Sequence, residues 1–180
     1  MTKMTITEAL SEINLIKKKL EHKKTAMQTL LIKADHVKDI YESEGGVTKH
    51  LQKEFQALSD LRRRFVSLRA AISEANLNHE ITVGEKTLSI HDWLTWKREI
   101  AKEEQNHANY IVTTVNNYMT QSSKNPQCYD DAEGKKHLVT FTPTVDLAEW
   151  VKKQERLNDL LENLDGQLSL KNATILVSIK

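Results

Sequence analysis

Two stretches of this chain are rich in side chains that bind anions. Residues 14–34 hold Lys17, Lys18, Lys19, Lys23, Lys24 and Lys33 against Glu21 alone, and residues 49–69 hold Lys49, Lys53, Arg62, Arg63, Arg64 and Arg69 against Glu54 and Asp60. A guanidinium grips phosphate through two parallel N–H bonds, and a lysine adds a point charge. A second cluster sets Trp93 and Trp96 beside Lys97 and Arg98. Trp93 and Lys97, four apart, share one helix face, while Trp96 points elsewhere. An aromatic plane next to a cation stacks a base while helix amides and cations hold its phosphate. The expected ligand-binding set is Lys23, Arg62, Arg63, Arg69, Trp93, Trp96, Lys97 and Arg98. Plainer readings stand beside it: the charged runs as solvated surface, or as partners of Asp146, Glu149, Glu155, Asp159, Glu162 and Asp165, and the tryptophans as core.

No catalytic constellation accompanies these residues, so the expectation is a protein that is not an enzyme. Glu104 and His107 have the Glu-x-x-His spacing of di-metal bundles, yet no second pair completes it. There is no HExxH, no Cys/His cluster, no nucleophile elbow and no phosphate-binding glycine loop, and only 5 glycines exist to build one. Cys128 sits in a polar stretch with no histidine partner in view, which reads as a bystander thiol. No metal site and no cofactor are expected.

The elements that must position the basic residues are helices. Thr5 with Glu8 forms a capping-box spacing, and Ile6, Leu10, Ile13, Leu20, Met27 and Leu31 recur on one helical face towards Gly45-Gly46. This predicts a helix over about 6–43. Beyond the glycines, Leu51, Leu58, Leu61, Phe65, Leu68 and Ile72 alternate steps of three and four, a coiled-coil seam over about 47–76. An antiparallel hairpin closed at the two glycines sets residue 22 opposite about 69 and residue 28 opposite about 63, so the two basic runs meet in a belt.

Glu80–Val83 and Lys86–Ser89 flank Gly84-Glu85 and predict a β-hairpin with a type II′ turn. Ser89 with Asp92 then supplies a capping box for a helix over about 90–120. Residues 121–136 read as a flexible polar loop, 137–142 as a strand, 145–171 as a fourth helix capped by Thr144, and 174–179 as a last strand. The expected fold class is therefore mainly α with a small β-sheet, an α+β chain of one elongated domain over 1–180. Its four short strands would form one sheet tying the helix ends together.

Composition narrows the partners. With 39% hydrophobic and 28% charged residues over 180 positions, the chain can bury one ordinary core. Lys plus Arg number 26 against 25 Asp plus Glu, so no global charge recruits duplex nucleic acid or a membrane surface. The single cysteine fits a reducing compartment. With no bilayer-length apolar run and no signal-peptide hydrophobic region, a cytoplasmic protein is expected.

The segments MTITEAL, EGG, LRAAISEAN, ITVGEKTLSIHDWLTWKREI and LDGQLSLKNATI resemble the septicolysin-like family of small helical proteins, and more closely its bacteriophage members. The resemblance covers most of the chain and weakens through residues 101–140. It implies long helical hairpins, homo-oligomeric assembly and, for a phage-encoded chain, the host bacterial cytoplasm. Combined with the basic and aromatic residues, it leads to two expectations. One is a non-enzymatic, self-associating binding protein that sequesters a small anionic, nucleotide-derived immune signal at a subunit junction. The other is a phage structural or assembly protein with no small-molecule ligand.

Overall fold

The Thr5 hydroxyl accepts from the Glu8 amide at 3.2 Å while the Glu8 carboxylate accepts from the Thr5 amide at 2.7 Å, so the capping box forms and starts the first helix. In the computed structural model, which describes residues 2–32, 36 and 38–179, the order is β1 (Thr2–Thr5), α1 (Ile6–Gln28), a 3₁₀ turn (Glu42–Glu44), α2 (Val47–Asn78), β2 (Glu80–Val83), β3 (Lys86–Ser89), α3 (Ile90–Glu99), α4 (Ala101–Lys124), β4 (Cys128–Asp130), β5 (Lys136–Leu138), α5 (Leu147–Thr174) and β6 (Leu176–Ile179). The protein is mainly α with small antiparallel β elements, as its periodicity predicts. Its contacts group into two compact units, Met1–Glu80 with Leu168–Lys180, and Ile81–Gln167, where the sequence led to one domain.

In the first unit, α1 and α2 pair over a core of Ile6, Ala9, Ile13 and Ile16 against Leu68, Ile72 and Ala75. The strands β1 and β6 run antiparallel, from Thr2 opposite Ile179 to Thr5 opposite Leu176. Along β6, Val177 and Ile179 point inward and Leu176 and Ser178 outward, the period-2 alternation of a half-buried strand.

The first helix ends at Gln28 rather than near residue 43. The Thr25 and Thr29 hydroxyls bond back to the carbonyls of Glu21 and Ala26, a competing pattern that weakens a helix, and the Leu30 amide tightens onto the Met27 carbonyl at 2.9 Å. Residues 33–35 and 37, also placed in that helix by the sequence, lie outside the described residues. The connection then closes through Asp39, whose carboxylate accepts from the amides of Tyr41 at 2.8 Å and Val47 at 2.9 Å. Gly45 adopts a left-handed φ of 94° at the end of the 3₁₀ turn, a conformation that favours glycine.

In the second unit, β2 and β3 form the expected hairpin, with Gly84 at φ 61°. Ser89 caps α3 by accepting from the Asp92 amide at 3.0 Å. The helix predicted over 90–120 is two helices, interrupted at Ile100, whose φ of −115° is wide of the usual helical value while its ψ of −44° stays helical. At the break Ala101 is buried and Ile100 exposed. Residues 121–136 are not one loop: α4 continues to Lys124, and β4 pairs with β5, Cys128 opposite Leu138. The strand predicted over 137–142 is the shorter Lys136–Leu138, with one further backbone bond from the Val139 amide to the Gln127 carbonyl at 2.8 Å. Asp146, not Thr144, caps α5, accepting from the amides of Ala148 and Glu149, and α5 runs on to Thr174. In place of one four-stranded sheet, the described residues form three two-stranded ribbons, β1 with β6, β2 with β3 and β4 with β5.

Candidate anion-binding groove

The register of α1 against α2 decides what the basic residues can do. The Arg64 guanidinium donates to both carboxylate oxygens of Glu12, at 2.7 and 3.0 Å, and the Lys23 ammonium donates to Glu54 at 2.6 Å. Residue 23 therefore faces residue 54, not the upper sixties. The two basic runs still face each other, but in a register shifted from the predicted one, because α1 stops at Gln28 and α2 starts at Val47. Each basic run also meets acids. The Arg64 pairing holds the Glu12 carboxyl below its ordinary range and raises the Arg64 guanidinium, in both cases chiefly through the side-chain hydrogen bond.

Of the predicted set in this unit, Lys23 is committed to Glu54. Arg63 turns back to Asp60 of its own helix at 3.4 Å, and Arg69 lies over the Phe65 ring at 5.6 Å. Arg62 differs from these three: it is exposed and has no hydrogen bond or ion pair among the described residues. It lines an open groove of about 710 Å³ between α1 and α2, a size within the usual range of ligand clefts. The groove wall is apolar, built from Met27, Leu31, Phe55 and Leu58, with Thr25 and Gln28 as hydrogen-bonding groups and the Glu21–Lys24 pair at 2.7 Å on its rim. Lys24 and Arg62 are thus where the two basic runs approach a common space.

The other four predicted residues fall in the second unit. Trp93 is buried, 2% exposed, and its indole N–H donates to the Ile81 carbonyl at 3.1 Å, pinning the β2–β3 hairpin onto α3. Trp96 is half-buried and packs edge-on against Trp93, with centroids 5.6 Å apart. Lys97 pairs with Asp165 of α5, and the Arg98 Nε donates to the Leu94 carbonyl of its own helix at 3.2 Å. Among them Trp93 is core, and the cations beside the rings are engaged.

Sequence reasoning missed Phe55, Leu58 and Lys24 as groove residues, and Glu12 as the partner of Arg64. Phe55 carried a signal, since it competes with Glu54 for one position of the α2 seam. Among the described residues no group of three or more His, Cys, Asp or Glu is placed to hold a metal ion, and no helix is long and apolar enough to cross a membrane. Cys128 is a free, exposed thiol.

Comparison of the chain with protein-family models, with curated proteins and with solved structures finds no match.

Proposed function

We propose that this chain is a non-enzymatic, self-associating binding protein that retains a small anionic, nucleotide-derived molecule in the α1–α2 groove. The observation that carries this reading is Arg62, a guanidinium without an ionic partner among the described residues, beside a groove walled by Phe55, Leu58 and Met27. A phosphate takes two parallel N–H bonds of Arg62, the Lys24 ammonium offsets the Glu21 carboxylate beside it on the rim, and Phe55 offers a ring for a base. Retention without turnover is what such a groove does, and the resemblance to bacteriophage proteins supports the retained molecule being a host immune signal held in the bacterial cytoplasm. Relative to the earlier expectation, the ligand site moves from a subunit junction to a groove within one chain.

The test incubates the protein with inorganic phosphate, mononucleotides, cyclic nucleotides and ADP-ribose, separates it from free ligand, heats it and identifies what is released. Unchanged ligand released from the wild type, and about tenfold weaker binding by Arg62→Ala, the loss of one charge-assisted contact, is the expected result. No retention across the panel overturns the reading.

A second reading is favoured by exposed apolar side chains on the same helices, Leu15 on α1 and Val66 on α2, the latter 64% exposed. They fit a structural or assembly protein whose helical hairpins pack into a larger particle. Such a protein is found by mass spectrometry in purified virions, whereas a sequestering protein is made early and is absent from them.

A further inference from the structure

The outer face of α4 differs from every other long helix surface in the chain. Residues 105–123 contain no Asp, Glu, Lys or Arg, although 28% of the chain is charged. The exposed surfaces of the other helices hold Lys17, Lys18 and Lys24 on α1, Lys53, Asp60 and Arg63 on α2, and Lys152, Glu155 and Asp159 on α5. Ala101 and Ala108 of α4 are buried, and Gln105 and Asn109 form amide pairs with Asn158 and Gln154 of α5. The opposite side presents Asn106, Tyr110, Thr113, Asn117 and Gln121 at steps of three and four, all exposed. Tyr110 is 69% exposed, and Tyr118 on the flank of the stripe is 70% exposed. Loss of charge together with exposed aromatic rings is the compositional mark of an interface core rather than of a solvated face.

We infer that this stripe is where a second copy of the chain docks, α4 against α4 about a two-fold axis near Thr113. The inference rests on the reading of the chain as self-associating and adds the surface that does it. A two-fold contact brings each residue near its own copy or near a symmetry mate, so a charge close to the axis would meet its like. Asn, Gln, Thr and Tyr each both donate and accept hydrogen bonds, so they satisfy copies of themselves. A nucleic acid or an acidic peptide would need complementary charge, which the stripe lacks. Antiparallel pairing about Thr113 sets Tyr110 of one copy opposite Asn117 of the other, and Asn106 opposite Gln121. From Asn106 to Gln121 the stripe is about 24 Å long at 1.5 Å per residue and about 10 Å wide. That footprint is well below the roughly 800 Å² per partner of a standard interface, so the α4 pair is a weak contact that forms at high concentration and dissociates on dilution.

The test is sedimentation velocity on the full chain across a dilution series. It compares the wild type, Thr113→Glu, Thr113→Lys and an equimolar mixture of the two variants. Position 113 is exposed and mid-helix, where Glu and Lys favour helix at least as well as Thr, and circular dichroism checks that each variant folds. The expected result is a wild type that dimerises, single variants with dimer dissociation constants raised at least about tenfold by like-charge contact, and a mixture in which the dimer returns. A wild type that stays monomeric overturns both the inference and the self-associating reading. Dimerisation of wild type and both variants alike overturns the α4 surface and leaves self-association standing. Single variants that dissociate, with no recovery in the mixture, overturn pairing about Thr113.

Discussion

Glu12 and Arg64 lie 52 positions apart in the chain and meet through two parallel hydrogen bonds, Nε to Oε1 at 2.7 Å and Nη2 to Oε2 at 3.0 Å. With the Lys23–Glu54 contact further along, this pair sets the register of α1 on α2. The groove exists in that register: Met27 comes beside Leu58, and Arg62 is left free of the acids that engage its neighbours. Apolar burial drives the pairing of the two helices, but leucine and isoleucine faces tolerate sliding, and directional ion pairs select one alignment.

The Glu12–Arg64 contact predicts a pH-dependent coupling. Both side chains are about one-third exposed, so solvent screening limits the pair to about 0.5–1 kcal/mol despite its two-bond geometry. A urea-unfolding double-mutant cycle with Glu12→Gln and Arg64→Met measures it. The folded Glu12 carboxyl lies below its ordinary value. Its contribution is therefore fully present above the unfolded value, about 4.3, and is lost as pH falls through the lowered folded value. The raised Arg64 guanidinium would lose its part only in strong alkali. Coupling at pH 7 that disappears towards pH 2 is expected, and equal coupling at both contradicts the assignment.

Trp93 predicts a stability asymmetry between two neighbouring tryptophans. Its ring is buried and its N–H occupies the Ile81 carbonyl. Trp93→Phe removes that hydrogen bond and costs about 0.5–1.5 kcal/mol, and Trp93→Ala costs about 3–5 kcal/mol by adding a cavity. Trp96→Phe keeps an edge contact on Trp93 and costs under about 1 kcal/mol. Chemical denaturation followed by far-ultraviolet circular dichroism ranks the three. Equal costs for Trp93→Phe and Trp96→Phe would show that Trp93 does not anchor the hairpin.

What the sequence made legible is local. The Thr5–Glu8 and Ser89–Asp92 caps and the Gly84 turn depend on groups a few residues apart: the Thr5–Glu8 box forms in full, Ser89 caps α3 through its hydroxyl alone, and Gly84 takes a positive φ in the β2–β3 turn. The seam of α2 was legible because periodicity reports which face is buried. Periodicity does not report where along that face a partner helix stops, so the end of α1 at Gln28 displaced the expected belt and hid the part played by Phe55 and Lys24. Thr2–Thr5 has no alternating pattern of its own and becomes a strand through backbone pairing with β6, at the far end of the chain. The break at Ile100 has neither proline nor glycine to announce it. Arg62 was legible as a cation, but its freedom from acids was not, since that depends on where the neighbouring arginines find partners.

The β4–β5 hairpin predicts a local acid transition separate from that of α1 and α2. Asp131 organises the turn: Oδ1 accepts from the amides of Glu133 at 3.1 Å and Lys135 at 2.8 Å, and Oδ2 contacts His137 Nε2 at 2.5 Å. These bonds, with the His137 contact as the largest cause, hold the Asp131 carboxyl below its ordinary value. The order they supply is therefore present above about pH 3.9, the unfolded aspartate value, and fades as pH falls through the lowered folded one. Tyr129 stacks on His137 with centroids 5.4 Å apart, so its ring resonances report the hairpin directly. In an NMR titration they should move to random-coil positions at acid pH in the wild type. In Asp131→Ala they should sit there already at pH 7, while the Trp93 indole resonance is unchanged. Asp131→Asn keeps an acceptor for the two turn amides and should retain part of the stacking at every pH. Tyr129 shifts that ignore both acid and Asp131→Ala would mean that this carboxylate does not hold the hairpin.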